Sequence, residues 1–159
     1  MAGHNIHGTG LVLGTIGLLL RGPSGAGKSL LALALLDDAA AGRGHAMLVA
    51  DDRIDLAIDS GRLVMRTPAR IAGLIELRGR GIVSRPFVPQ AGLDLVVDLV
   101  DTLERMPEPG AFSTALDGIT IARAPVPRVG VAGLEHQLLL VREAARAVAA
   151  APGRVKKTA

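Results

Sequence analysis

The sequence contains no cysteine, tryptophan or tyrosine, and only two phenylalanines among its 159 residues. The absence of cysteine excludes disulfide bonds and thiolate chemistry, and it is compatible with a cytoplasmic protein. Only Phe87 and Phe112 could stack on a base, and much of the net charge of +3 comes from Arg154, Lys156 and Lys157 near the end of the chain. Because the rest of the chain is nearly neutral, we do not expect nucleic-acid binding.

Long hydrophobic runs are also missing, although 49% of the residues are hydrophobic. No uninterrupted apolar segment approaches the roughly 18 residues that a membrane-spanning helix needs, so we expect no membrane partner. Residues 1–5 lack a basic region followed by an apolar run, and they predict no secretory signal. The length predicts one domain, placed at residues 1–150, followed by a disordered basic tail at residues 151–159.

Lysine is scarce, and one of the three lysines falls inside a recognisable motif. Lys28 is the lysine of a phosphate-binding loop pattern, which is a glycine followed by four variable positions and then Gly-Lys-Ser. The residues of this stretch are Gly22, Pro23, Ser24, Gly25, Ala26, Gly27, Lys28 and Ser29. An apolar segment precedes the loop and a helix-favouring segment follows it, which is the context that the motif requires. The alternative is a glycine-rich turn with an incidental lysine.

The chemistry of such a loop follows from its backbone. Glycines allow successive N–H groups to point into one concavity, and the following helix adds the partial positive charge of its amino terminus. Lys28 would reach the β and γ phosphates, and the Ser29 hydroxyl would bind Mg²⁺. We therefore expect a nucleotide held by residues 22–29 together with Mg²⁺, although the loop alone does not distinguish a kinase, a GTPase and an ATPase.

The order of predicted elements indicates an α/β fold: a P-loop-containing central β-sheet with a phosphate-loop helix, additional β-hairpins and a C-terminal helix. Strands are predicted at 7–13, 16–20, 45–50, 93–100 and 118–123, a hairpin at 54–65, an alternating strand within 71–83, and helices at 29–41 and 133–150. Segment 84–92 is predicted to be a mobile loop, 101–117 a connection of undefined structure, and 125–128 an extended turn. Leucines on nearly every side of the first helix suggest cover by the sheet and by another subunit.

An acidic pair, Asp51 and Asp52, directly follows the strand predicted at 45–50. Open α/β sheets bind ligands at the carboxyl ends of their strands, where carboxylates could hold Mg²⁺ through water or accept a proton from an attacking hydroxyl. The alternative is a simple turn, since Asp is common at such positions. Two adjacent carboxylates repel, so a metal ion or Arg53 is expected to offset one of them.

Two further patterns allow a functional and a structural interpretation. Glu76 and Arg78 would share one face of a strand, either as a metal-facing carboxylate beside a phosphate-facing guanidinium or as a surface ion pair of little energetic worth. His4 and His7 lie three residues apart, but two histidines without a third ligand predict a metal site only weakly.

Five blocks of the sequence, in this order, resemble the catalytic domain of the HPr kinase/phosphorylase family. They are His7-Gly8, the loop at 22–29, the Ala-Asp-Asp-Arg block within 49–56, the Glu-Leu-Arg-Gly-x-Gly-Ile block within 74–82, and Pro-Val-Pro-Arg at 125–128. The resemblance spans about residues 4–148 and implies the catalytic domain without the amino-terminal domain that many members carry.

The resemblance implies an ATP-dependent protein serine kinase that phosphorylates the phosphocarrier protein HPr of the phosphotransferase system. It also implies the reverse dephosphorylation by inorganic phosphate, dependence on Mg²⁺, a cytoplasmic location and a homohexamer. Asp52 is similar to the residue that takes the serine proton, Asp51 would orient its neighbours, and Arg105 is the nearest match to a family arginine. The implied catalytic residues are His7, Lys28, Asp52 and Arg105, and the implied metal ligands are Ser29 and Glu76.

The sequence departs from the family at two places. Leu30 stands where members usually have Glu, and residues 129–137 contain neither Lys nor Arg where the family has a basic loop tied to dephosphorylation. The reverse reaction is therefore left open. Two alternatives remain as well: a P-loop kinase of small molecules, and a regulatory module that senses ATP without turnover.

Overall fold

A six-stranded β-sheet organises the chain, whose computed structural model describes residues 3–152. The strands are β1 (His4–His7), β2 (Thr9–Leu13), β3 (Ile16–Arg21), β4 (Ala46–Ala50), β5 (Arg53–Asp59), β6 (Arg62–Arg66), β7 (Leu74–Leu77), β8 (Gly81–Ser84), β9 (Gln90–Gly92), β10 (Leu95–Val100), β11 (Ser113–Leu116) and β12 (Ile119–Pro127). The helices are α1 (Lys28–Ala40) and α2 (Leu134–Ala149), and short 3-10 helices lie at Ala69–Ile71 and Pro109–Phe112.

The six-stranded sheet has the order β11-β12-β10-β3-β2-β4. Strands β12, β10 and β3 are parallel, and β4 runs the same way because both β3 and β4 pair antiparallel with β2. The carboxyl ends of these four strands therefore meet at one edge of the sheet. Strand β2 runs in the opposite direction, so its first residue, Thr9, also lies at this edge, where it pairs with Leu20.

Two hydrophobic cores lie on the two faces of this sheet. On one face, α1 packs mainly on β4 and β2, and α2 packs mainly on β12 and β10, through leucines such as Leu31, Leu35 and Leu138. On the other, the four-stranded sheet β1-β5-β6-β9 packs through Ile54, Met65 and neighbouring apolar residues. The chain is thus a layered α/β domain, and the hairpin β7–β8 packs beside α1.

The two sheets approach each other closely at Gly17 of β3. A Cβ atom on Gly17 would lie 1.7 Å from the carbonyl oxygen of Gly92, whereas a Cβ on Gly92 would meet nothing within 4 Å. Two hydrogen bonds of 2.9 Å join Gly17 to Asp94 in this region: the Gly17 N–H donates to the Asp94 carboxylate, and the Asp94 N–H donates to the Gly17 carbonyl. Only glycine fits at position 17, because the obstructing atom is backbone and cannot rotate away.

Replacement of Gly17 by alanine is therefore expected to destabilise the protein by about 2–3 kcal/mol, because the strand must move away from Gly92. Gly92→Ala is the matched control, since it adds the same methyl group to open space and should change the free energy of unfolding by less than about 0.5 kcal/mol. Urea unfolding of both variants measures the difference. Equal stability of the two would contradict this description of the contact.

Most of the predicted elements are present. The hairpin β2–β3, helix α1, strand β4, hairpin β5–β6, the central strand β10 and helix α2 all lie within a few residues of their predicted bounds. The coarse prediction of an α/β fold with a central sheet and few helices is confirmed. Residues 153–159, which make up most of the predicted tail, lie outside the described residues.

Three predicted segments differ from the structure. Residues 84–92 are not a free loop: the Leu48 N–H of β4 donates to the Pro86 carbonyl, the Val88 N–H donates to the Leu48 carbonyl, and the segment ends in β9. Residues 101–117 contain β11, which pairs with β12. The predicted strand at 7–13 is split at Gly8, because β1 leaves the six-stranded sheet and pairs with β5 in the other sheet.

The extended turn predicted at 125–128 is also wrong, since β12 continues through Pro127. Pro125 and Pro127 pair with β10 on one side, while β11 reaches only as far as Ala122 on the other. The two prolines are two residues apart, so their nitrogens face the same side of the strand. That side can be the one without a neighbouring strand, where no hydrogen-bond donor is needed.

Helix α1 is covered within the chain. Its buried residues face the sheet, the hairpin β7–β8 and α2, and the one large apolar side chain that it exposes is Leu30. These contacts account for the buried leucines of the helix, and cover by a second subunit stays a prediction.

Candidate functional site

The loop between β3 and α1 lies at the edge of the sheet where the parallel strands end. Gly27 precedes α1 with φ at 96°, and no side chain caps the helix. A Cβ at Gly27 would lie 3.1 Å from the Cβ of Val129, whose own N–H donates to the Ala26 carbonyl. A left-handed residue against a packed neighbour requires glycine. The first N–H groups of α1 remain available to a bound anion.

Lys28 folds back over the loop that carries it. Its Nζ donates to the carbonyl oxygens of Gly22 at 2.6 Å and Pro23 at 3.1 Å. Among residues 3–152, no ion pair joins Lys28 to a carboxylate, so nearby acidic side chains do not neutralise its charge. An ammonium group held only by neutral carbonyls is placed to attract phosphate oxygens.

Asp51 joins three parts of the site through its carboxylate. Its Oδ1 accepts from Thr9 Oγ1 at 2.9 Å and from Ser29 Oγ at 2.8 Å, and its Oδ2 accepts from the Glu76 backbone N–H at 3.0 Å. The side chain is largely buried, with Asp51 8% exposed. Asp51 therefore connects the start of β2, the start of α1 and strand β7.

Asp52 lies in a strained turn that directs its side chain outward. Its φ is +70°, and the Arg53 N–H donates to the Asp51 carbonyl at 2.8 Å, so the three residues form a γ-turn of the rare kind with positive φ. The Asp52 side chain is 76% exposed, and one of its oxygens lies 3.8 Å from His7 Nδ1. Strain of this type is concentrated at functional positions.

The positive φ of Asp52 predicts that the usual order of stability of alanine and glycine is reversed at this position. Alanine in a regular strand or helix is more stable than glycine, but at position 52 we expect Asp52→Gly to be more stable than Asp52→Ala by about 1 kcal/mol, because only glycine adopts positive φ without cost. Urea unfolding of the two variants, which share the loss of the carboxylate, isolates the backbone effect. A more stable alanine variant would show that the turn is unstrained.

Glu76 and Arg78 lie on the hairpin β7–β8, but not on one strand face as predicted. Strand β7 ends at Leu77, so Arg78 lies in the turn, and its Nε is 3.9 Å from a Glu76 carboxylate oxygen. Glu76 is placed near Ser29 by the backbone, since both donate to the same Asp51 carboxylate. Hydroxyl and carboxylate oxygens are the donor set that suits Mg²⁺, which takes few protein ligands when it also binds a nucleotide.

A cleft of about 1120 Å³ brings most of the predicted residues together. It is lined by the loop, both aspartates and the outer face of β7, and its wall includes Leu30, which is 44% exposed. Of the predicted site residues, those that line it are His7, Gly22, Pro23, Ser24, Gly25, Gly27, Lys28, Ser29, Asp52 and Glu76. Ala26, the remaining residue of the loop, is buried.

Arg105 is the one predicted catalytic residue that the structure does not bring into the cleft. It is exposed in the connection between β10 and the 3-10 helix at Pro109–Phe112. Thr9 and Val129, in contrast, line the cleft and were missed. Thr9 reads in the sequence as an ordinary strand residue, and nothing in its neighbours indicates the contact with Asp51.

An ion triad supports the strand that leads into the loop. Arg21 and Arg123 both donate to the carboxylate of Asp98, at 2.8 and 2.6 Å from their Nε atoms. Burial opposes ionisation of Asp98, but hydrogen bonds from the two arginines outweigh it and hold the pKa of Asp98 below its ordinary value. Arg21, which directly precedes Gly22, is thereby fixed to the middle of the sheet.

Across the part of the chain that the structure describes, no helix has the length and apolar character needed to cross a membrane. The same residues contain no group of three or more His, Asp or Glu side chains arranged to hold a metal ion.

The chain is similar to known proteins over most of its length. The family described as "HPr Serine kinase C-terminal domain" matches residues 1–109. The solved structure of the HPr(Ser) kinase/phosphatase from Coxiella burnetii superposes with a TM-score of 0.71 at 30% sequence identity, covering 88% of this chain and 89% of that one.

Curated relatives are matched over a shorter stretch. The HPr kinase/phosphorylase of Clostridium tetani is 39% identical over 94 residues, which are 59% of this chain and 28% of the relative. That of Clostridium beijerinckii is 41% identical over 78 residues, or 49% of this chain and 24% of the relative. The chain thus spans about a quarter of the length of the curated relatives that it matches. On the family match and the shared fold, the chain belongs to the HPr serine kinase C-terminal domain family.

Proposed function

We propose that this chain is the catalytic domain of a Mg²⁺- and ATP-dependent serine kinase whose substrate is an HPr-like phosphocarrier protein. The observation that carries the proposal is the arrangement across the cleft: an exposed carboxylate, Asp52, lies beside a loop whose Lys28 and helix terminus suit a polyphosphate. The names of the relatives, kinases of HPr, supply the class of acceptor.

The nucleotide would be held by the backbone of residues 22–29. Lys28 would exchange its bonds to the loop carbonyls for bonds to the β and γ phosphates, where it would offset the charge that spreads over the transferred group. The start of α1, which no side chain caps, would add its N–H groups.

Asp52 would act as the base in transfer. As the seryl oxygen forms its bond to the γ phosphorus, the bond to the β-phosphate oxygen breaks and the seryl proton passes to the Asp52 carboxylate. His7, 3.8 Å away, would hold that carboxylate in position. The exposure of both side chains suits a substrate that is itself a protein, because the serine must enter from outside.

Ser29 and Glu76 would hold Mg²⁺ with the phosphate oxygens. When bound, the ion neutralises phosphate charge and aligns the γ phosphate for in-line transfer. Ser29 can serve this role while it donates its proton to Asp51, because the lone pairs of its oxygen remain available. Arg78, near Glu76, is better placed than Arg105 to face a phosphate.

The reverse reaction, a hexameric assembly and a cytoplasmic location stay predictions from the family resemblance. An oxygen of inorganic phosphate would attack the phosphorus of phosphoserine at the same site; the seryl P–O bond would break, pyrophosphate would form, and Asp52 would return the proton to the seryl oxygen. Segment 129–137 lacks the basic residues of the family, so we expect slower dephosphorylation than phosphorylation.

Incubation with γ-labelled ATP separates the proposal from its alternatives. We expect label in HPr, and none in an HPr variant whose acceptor serine is replaced by alanine. Label in a metabolite pool but not in HPr would favour a small-molecule kinase. Tight ATP binding without label in either would favour an ATP-sensing module. Leu30, which lines the cleft where the family usually has Glu, is the residue that favours this alternative.

A further inference from the structure

Thr9 is a buried polar side chain for which the proposed phosphotransfer steps require no role. It is 0% exposed, and its hydroxyl donates to Asp51 Oδ1 at 2.9 Å. It lies at the start of β2, next to Leu20 of the strand that leads into the loop. Among the described residues, the buried polar side chains are Thr9, Asp51 and Gln137, and the first two bond to each other.

The contacts of Asp51 show what the threonine can determine. The Ser29 hydroxyl lies 2.8 Å from Oδ1 and 3.0 Å from Oδ2, so it does not select one oxygen of the carboxylate. Thr9 binds Oδ1 alone and the Glu76 N–H binds Oδ2 alone. The Glu76 N–H belongs to the hairpin β7–β8, whereas Thr9 belongs to the six-stranded sheet. The hydrogen bond from Thr9 is therefore the one that holds the Asp51 carboxylate against the sheet.

We infer that Thr9 is a positioning residue: it orients Asp51 so that Ser29 directs its proton to the carboxylate and its lone pairs toward the metal. The inference rests on the proposed function, since it assigns the metal to Ser29 and Glu76. Groups that orient metal ligands from behind typically change metal affinity 10- to 100-fold when removed.

A purely structural role would use the shape of the side chain instead. Thr9 is β-branched and packs within a sheet, where valine has nearly the same volume and lacks the hydroxyl. Thr9→Val therefore removes the hydrogen bond with little change in shape, and Thr9→Ser keeps the hydroxyl while it removes a methyl group. The two variants separate the hydroxyl from the packing.

The first measurement is calorimetric binding of ADP with and without Mg²⁺. For Thr9→Val we expect affinity about 10-fold lower in the presence of Mg²⁺ and changed less than about 2-fold without it. Thr9→Ser should stay within about 3-fold of the wild type in both conditions. In an Asp51→Asn background, Thr9→Val should cause no further loss, because the two residues act through one contact.

The second measurement needs neither metal nor nucleotide. The Glu76 amide donates to Asp51, so loosening of the carboxylate in Thr9→Val should speed hydrogen exchange at that amide several-fold. The amide of Leu48, which donates to the Pro86 carbonyl away from the cleft, is the internal control and should be unchanged.

An equal loss of ADP affinity with and without Mg²⁺, or a Thr9→Ser variant as impaired as Thr9→Val, would overturn the inference. So would unchanged exchange at Glu76. Phosphate transfer to HPr is measured separately on the wild type. If transfer fails while the Mg²⁺-specific effect of Thr9→Val is present, the proposed function falls and the positioning role of Thr9 stands.

Discussion

Asp52→Asn is expected to lower the rate of phosphate transfer to HPr by about 1000-fold, the range that general base catalysis contributes. An amide has nearly the same shape as a carboxylate but cannot accept the seryl proton at neutral pH. Asparagine also tolerates the positive φ of this turn, so the backbone should keep its conformation. The loss would then come from the chemistry of one group, measured as the initial rate with saturating ATP.

Nucleotide binding provides the check on this interpretation. Among the described residues, no hydrogen bond or ion pair joins Asp52 to the loop at 22–29, so the affinity of Asp52→Asn for ADP should remain within about 3-fold of the wild type. Asp59→Asn, which neutralises an exposed carboxylate at the far end of β5, is the matched control and should transfer phosphate normally. Full activity in Asp52→Asn would remove Asp52 from the mechanism.

Lys28→Met is expected to weaken ADP binding by about 100-fold, since it removes charge-assisted hydrogen bonds to phosphate. Methionine keeps the length and apolar stem of lysine, so packing at the start of α1 should survive. Without nucleotide, the variant loses only the bonds from Nζ to the Gly22 and Pro23 carbonyls, which would lower the free energy of unfolding by about 1 kcal/mol.

A second positive charge tests whether the effect is specific. Arg146 on α2 pairs with Glu143 at the surface, and Arg146→Met removes one charge without touching the loop. We expect its ADP affinity to match the wild type. Similar losses in both variants would mean that general electrostatic attraction, not the loop, determines binding, and unchanged affinity in Lys28→Met would place the nucleotide elsewhere.

Local sequence patterns predicted the elements whose folding depends on neighbours in the chain. The loop at 22–29 requires glycine, lysine and serine at set spacings, and the hairpin β5–β6 follows from alternation around a tight turn at Ser60-Gly61. The acidic pair after β4 was placed correctly because a strand ends there for reasons written in the adjacent residues.

Long-range pairing explains what the sequence did not predict. The split at Gly8 depends on a strand 46 or more positions away, since β1 pairs with β5. Prolines in β12 are acceptable only because β11 stops at Ala122. The contact of Thr9 with Asp51 joins residues 42 positions apart, and such a contact leaves no local signal. Arg105 was predicted to be catalytic from a short motif match alone, and its side chain does not line the cleft.

Asp51 connects the separate parts of the candidate site. One buried carboxylate receives hydrogen bonds from the loop serine, from the strand behind it and from the hairpin that carries Glu76. The two proposed metal ligands are therefore positioned by the same group, while the exposed Asp52 next to it would face the proposed acceptor. Adjacent carboxylates in different environments can take different roles, one structural and one catalytic.

The proposed reaction of this cleft is the transfer of phosphate from ATP to a serine of a carrier protein. Mass spectrometry of HPr from the same organism, after incubation with the chain, ATP and Mg²⁺, tests it most directly. We expect one phosphoserine per HPr molecule with the wild type, and modification that is about 1000-fold slower with Asp52→Asn. Unmodified HPr in the wild-type reaction, under conditions where ATP binding is saturated, would contradict it.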